Sequence, residues 1–171
     1  MKIFTTDFLD NLTERAESSP RRRIHDNLHF DYSESCQRLF NAIEPNSYIQ
    51  PHRHLTDSKV ELLIAVRGSM VFVTFDDEGK ILEIIPFGIN LRNSKPWAIG
   101  LEVYPEKWHT VVALEPGSIL LEVKAGPFDP SQPKDLAPWA PIEGSENVTN
   151  YMRNLMGYLE KVLKYKCFNN C

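Results

Sequence analysis

The chain has 171 residues, 42% of them hydrophobic and 25% charged, with a formal net charge of −4 and three cysteines. That length supports one substantial core and one domain. The acidic balance excludes broad nucleic-acid binding, the few cysteines exclude a disulfide framework, and no apolar run reaches the ~20 residues needed to span a bilayer. In chain order, Thr6 is the expected cap of a helix from Asp7 to Glu17, with Phe8, Leu9, Leu12 and Ala16 as its apolar stripe. Ser18-Ser19-Pro20 ends that helix, and Arg21-Arg22-Arg23 completes an N-terminal helix and arginine-rich arm over residues 1–30. Residues 31–126 read as strands separated by turns: Ser47–Gln50, Val60–Val66, Met70–Phe75, Lys80–Ile85, Thr110–Ala113 and Ile119–Val123. Asp76-Asp77-Glu78-Gly79 and Leu114-Glu115-Pro116-Gly117-Ser118 supply two of the turns, and the pattern predicts a β-sandwich or barrel.

Residues 127–144 carry Pro127, Pro130, Pro133, Pro138 and Pro141, and are expected to cross the surface without strand pairing. Over residues 145–171, Tyr151, Leu155, Tyr158, Leu159, Val162 and Leu163 recur at helical spacing and predict an amphipathic helix from Glu146 to about Lys166. Its polar face is not basic, so it is expected to pack on its own barrel or on a second subunit rather than on a membrane. The start, Met1-Lys-Ile-Phe-Thr-Thr-Asp7, has no apolar signal stretch, which makes a cytoplasmic location the expectation. A thiol-redox reading of Cys167 and Cys171 is disfavoured because both fall in the terminal tail.

The chemistry concentrates on His52-Arg53-His54. Strand residues two apart share a face, so the two imidazoles project together while Arg53 points away. Glu61 interrupts an otherwise apolar strand, and a buried carboxylate needs a cation or donors. His109 opens another apolar strand. Together His52, His54, Glu61 and His109 read as ligands of one divalent transition metal per chain, Fe, Mn, Ni or Zn, with copper also compatible with the nitrogens. The bland alternative is a set of unrelated histidines. Parity also predicts Tyr48 and Gln50 on the inward face, as candidate catalytic or orienting groups. Arg21 and Arg23, on alternate positions, are candidate anion ligands with His25 and His29 behind them. Lys124 shares a strand face with Glu122, as a buried acid–base pair or a surface ion pair.

These residues resemble the cupin pattern G-x5-H-x-H-x3/4-E-x6-G followed by G-x5-P-x-G-x2-H-x3-N. Asn46 stands at the first glycine and Gly68 at the last, while the gap from His54 to Glu61 is longer than the family's. In the second part Pro105 is one place nearer His109, Glu106 replaces glycine and Ala113 replaces asparagine. More specifically, residues 1–143 resemble WbuC-type cupins, on Pro20-Arg-Arg-Arg-Ile-His25-Asp-Asn27-Leu-His29, Tyr48-Ile-Gln-Pro-His-Arg-His54, Trp108–Gly117, Glu122–Pro127 and Ala137–Pro141. The resemblance implies a mainly β protein, a double-stranded β-helix or jelly-roll barrel holding one metal ion, with the N-terminal helix and an added C-terminal one. It also implies a place in surface-polysaccharide (O-antigen) biosynthesis. The arginine pair suits a phosphorylated or nucleotide-linked sugar as ligand, and a homodimer that binds neither nucleic acid nor membrane is the expectation. Metal-dependent isomerisation or epimerisation, iron-dependent dioxygenation, and non-catalytic binding of a sugar or acid are the activities left open.

Overall fold

The computed structural model describes residues 1–56, 58–89, 98–131 and 134–168, with no side-chain account of 164–168. Helix α1 (Thr6–Ser18) precedes strands β1 (Arg23–Asn27), β2 (Cys36–Ile43), β3 (His52–Arg53), β4 (Glu61–Arg67) and β5 (Ser69–Phe75). Strands β6 (Ile81–Gly88), β7 (Gly100–Val103), β8 (Trp108–Ala113), β9 (Ser118–Ala125) and β10 (Asp135–Leu136) follow, and helix α2 (Val148–Phe168) closes the chain. Two five-stranded sheets form, ordered β1-β2-β9-β4-β7 and β10-β3-β8-β5-β6. Every pairing between these strands is antiparallel. The expected mainly β jelly roll flanked by one helix at each end is what the chain builds.

Strand parity explains the three apolar layers. Met70 and Phe72 of β5, with Val111 and Ala113 of β8, meet Leu63 and Leu120 of the facing sheet inside the barrel. The alternate residues, Val71, Val73, Phe75 and Val112, face outward and pack under Leu155 and Leu159 of α2. Both strands are therefore buried on both faces and read as continuous apolar runs rather than alternating ones. On the opposite side, Leu12 and Ala16 of α1 pack on Phe40, Ala42 and Ile119. Thr5, not Thr6, caps α1, its side chain accepting the Phe8 N–H.

Turns follow backbone chemistry. Asp76 Oδ1 accepts the N–H groups of Glu78 and Lys80, and Gly79 takes φ +86, closing the β5–β6 hairpin. Asn46, at the family's glycine position, has φ +68, a region Asn tolerates. Gly68 has φ +70, and an added Cβ there would lie 2.5 Å from Ser118 Oγ and 3.0 Å from Ser118 Cα.

Three expectations need correction. Ser47–Gln50 forms no strand; pairing begins only at His52, after Pro51. The proline-rich segment is not wholly unpaired, because Asp135 and Leu136 add β10 to the edge of β3. Tyr158 is 49% exposed and stands outside the α2 stripe, whose buried members are Met152, Leu155 and Leu159. Helix α2 packs on its own barrel. Among the described residues no helix is long and apolar enough to cross a membrane. Cys171 lies outside the described residues, as does the side chain of Cys167.

Candidate metal centre

Strand β3 carries His52, with His54 just beyond it, and β8 pairs with β3 so that His109 stands directly opposite His52. All three imidazoles are buried, and one ring nitrogen from each lies within 4.8 Å of the others. His109 Nδ1 approaches the Lys107 carbonyl at 2.8 Å and His52 Nδ1 the Gln50 carbonyl at 3.0 Å. A carbonyl only accepts, so each Nδ1 carries the proton and each Nε2 keeps its lone pair for a ligand. His54 Nε2 is buried without a hydrogen-bond partner, although Glu61 Oε1 is 3.2 Å away out of line. Phe72 stacks on the His109 ring at 5.2 Å and fixes its plane. Burial depresses the His109 pKa to about 4. Burial, then the Lys134 charge, depresses that of His52 well below its usual value. Neutral, tautomer-fixed imidazoles around an orphaned nitrogen fit a transition-metal ion.

Glu61 stands beside this trio. Its register partner across β4 and β9 is Lys124, whose Nζ lies 3.2 Å from Oε1, while Oε2 is 4.0 Å from His109 Nε2. Burial pushes the carboxyl pKa up, but the His54 contact and the Lys124 charge outweigh it and hold it at about 2. The cation that Glu61 required is therefore Lys124 at least. Lys124 pairs with Glu61, and its charge also acts on Glu122, its neighbour on the same face.

The histidines open into a cavity of ≈ 650 Å³. Its wall brings together Arg21, Arg23, His25 and His29 from the N-terminal arm with Lys124, so these five predicted ligand residues share one space with the histidines. Arg22 points away, donating to the Glu17 carbonyl. Two residues passed over as site candidates also line it, Glu122 and Lys134. Glu122 pairs in register with Leu39 and Leu63, so its carboxyl sits between apolar neighbours on both adjoining strands. Burial, then the Glu61 charge, raise its pKa to about 7. Lys134 comes from the proline-rich segment, and burial of its ammonium lowers its pKa while the Glu122 charge opposes.

The side chains of Tyr48 and Gln50 do not join the site, although the Gln50 carbonyl holds His52 Nδ1. Ile49 lines the cavity instead. The unpaired chain before Pro51 breaks the alternation on which the inward placement rested. Tyr48 faces α2, its ring meeting Tyr151 edge-on at 5.7 Å and its hydroxyl donating to the Pro141 carbonyl at 2.7 Å. Gln50 donates to the Ala137 carbonyl at 3.3 Å. Tyr48→Phe is therefore expected to cost about 1 kcal/mol in urea unfolding, from one lost hydrogen bond. Metal content should stay unchanged; a variant that loses its metal would return Tyr48 to the site.

The fold is a cupin jelly roll. The sequence pattern of a domain of unknown function (DUF6016) matches residues 4–86. No curated protein matches the chain. Protein SO0799 from Shewanella oneidensis superposes with a TM-score of 0.52 at 10% identity, over 89% of this chain and 94% of its own. KdgF from a Halomonas species gives 0.47 at 14% identity, over 64% of this chain and 83% of its own. An RmlC-like cupin from Desulfovibrio desulfuricans gives 0.45 at 18% identity, over 64% and 86%. At 10% identity the likeness to SO0799 is one of fold alone.

Proposed function

We propose that this chain is a metal-dependent enzyme acting on a phosphorylated or nucleotide-linked sugar, within the WbuC type of cupin and in the cytoplasmic supply of surface-polysaccharide precursors. The observation that carries the reading is the shared cavity, lined by three buried imidazoles and by Arg21, Arg23, Lys124 and Lys134. A metal centre alone would suit many ligands. Four cations against Glu61, Glu122 and Glu143 leave an excess of positive charge that selects one that is anionic and polar.

His52, His54 and His109 would hold the ion, with Glu61 beside them. When bound, the ion supplies Lewis-acid polarisation of a sugar hydroxyl or carbonyl, the chemistry of isomerisation or epimerisation. The chain supplies the remainder. Arg21 and Arg23 orient the anionic group by paired guanidinium bonds. Glu122, titrating near neutrality, takes or returns a proton at its carboxylate oxygen. Lys124 holds Glu61 ionised.

The test is conversion of phosphorylated and nucleotide-linked sugars by protein purified without an affinity tag, followed by mass spectrometry and NMR. Turnover is expected to fall at least ~100-fold in His52→Ala, since losing a ligand costs more than losing a group that merely supports one. Equal turnover in both proteins refutes the metal-dependent reading. Tight binding without turnover by the wild type would make the chain a sugar-binding cupin instead.

A further inference from the structure

The two arginines of the cavity already grip a carboxylate. Glu143, in the turn before α2, accepts Arg21 Nε on Oε1 at 2.8 Å and Arg21 Nη2 on Oε2 at 2.9 Å. Arg23 Nη2 adds a third donor, to Oε1 at 2.7 Å. Two parallel bonds from one guanidinium, supplemented by a second, is how a free carboxylate or phosphate is held. Glu143 reaches this place from 120 residues away in sequence, on a turn whose next residue, Gly144, takes φ +84.

Two features separate this cluster from a purely structural bridge. Arg23 is fixed independently of Glu143: its Nη1 donates to the Tyr48 carbonyl at 2.7 Å, and its side chain is only 10% exposed. That half of the fork stays aligned when the carboxylate leaves. Arg21 and Glu143, by contrast, are 59% and 34% exposed, so water and an incoming anion can reach their mutual bonds. The cluster also keeps an excess of one positive charge, at the wall of a cavity that holds Lys124 and Lys134 as well.

We infer that Glu143 is an internal stand-in for the anionic group of the cavity's ligand, and that a carboxylate or phosphate oxyanion displaces it from Arg21 and Arg23. This rests on the cavity being a ligand site, but not on the metal centre. An acidic ligand is thereby fixed by its charged end at the arginines, in the same cavity that the histidines line. Glu143 also tunes affinity. If it fills the fork about nine-tenths of the time, the apparent Kd is about tenfold weaker than the intrinsic one.

The experiment is calorimetric titration with two probes, pyrophosphate for the phosphate class and malonate for the carboxylate class. Glu143→Gln keeps the shape and removes the charge. It is expected to bind at least one probe about tenfold more tightly than the wild type, and adding Arg21→Ala should abolish the gain. The probe that gains identifies the anion. Unchanged or weaker binding of both probes by Glu143→Gln, or a gain that survives Arg21→Ala, overturns the inference. Should Glu143→Gln fold poorly, the Arg21 Nε–H resonance in 15N-labelled wild type gives a second reading: saturable movement with either probe supports displacement, and no movement with both refutes it. In a His52→Ala background the gain is expected to persist. A failed metal centre and a failed anion site are thus told apart.

Discussion

His109→Ala is expected to purify with less than about a tenth of the transition metal of the wild type, which should carry about one ion per chain. His109 is one of three convergent imidazoles among the described residues, 2% exposed near the start of β8. Phe72 stacks on it, and the Lys107 carbonyl fixes its tautomer. Elemental analysis of tag-free protein checks this, with circular dichroism to confirm the fold. The pH dependence carries a second signature. The imidazole of His109 is protonated only near pH 4, because burial disfavours its cation. Protons therefore compete with metal at lower pH than they would at a free imidazole, and metal should be retained as pH falls through the usual histidine range. Unchanged metal content in the variant, or release centred on the ordinary imidazole pKa, would sink the assignment.

Glu122→Gln is expected to stabilise the metal-free protein, by up to about 3 kcal/mol above pH 7, and to leave it unchanged below the ordinary carboxyl range. The folded-state pKa of about 7 lies above the usual 4.5, chiefly through burial and then through the Glu61 charge. Between these values the native state holds a proton that the unfolded state has released. Stability is therefore lost as pH rises through that window, and the full penalty applies above it. Glutamine keeps the volume and carries no charge, so the penalty disappears. Urea unfolding at acid and alkaline pH measures the difference. A gain of equal size at both pH values would show that Glu122 is not the titrating group. Such a destabilising carboxyl has a natural account as a proton-transfer group, the role proposed above.

Much of the site was legible because it depends on local geometry. The placement of His52 with His54 needs only the two-residue alternation of extended chain, whereas Arg21 and Arg23 come together across a turn in which Arg22 takes φ +55. Glu61 announced itself as a carboxylate in an apolar strand, and its demand for a cation is met by Lys124. Tyr48 and Gln50 were misplaced by the same rule, because alternation holds only while the chain is extended and paired, and here pairing starts after Pro51. Glu122 carried a weaker signal. It shares a face with Lys124, but whether that face looks inward depends on β9 lying between β2 and β4.

The sequence by itself therefore determined β4, β5, β6, β8 and β9 with the turns at 76–79 and 114–118, the α1 stripe, the pairing of two histidines on one face and the left-handed backbone at Asn46 and Gly79. Each follows from the geometry of a few consecutive residues. Tertiary structure alone decided that His109 meets His52, that Lys134 enters the cavity from the proline-rich segment, and that Glu143 closes on Arg21 and Arg23. Those contacts join residues tens to more than a hundred positions apart, and no short-range period encodes them. They arise because the packing of two sheets, and of α2 across one of them, brings distant segments to the same end of the barrel.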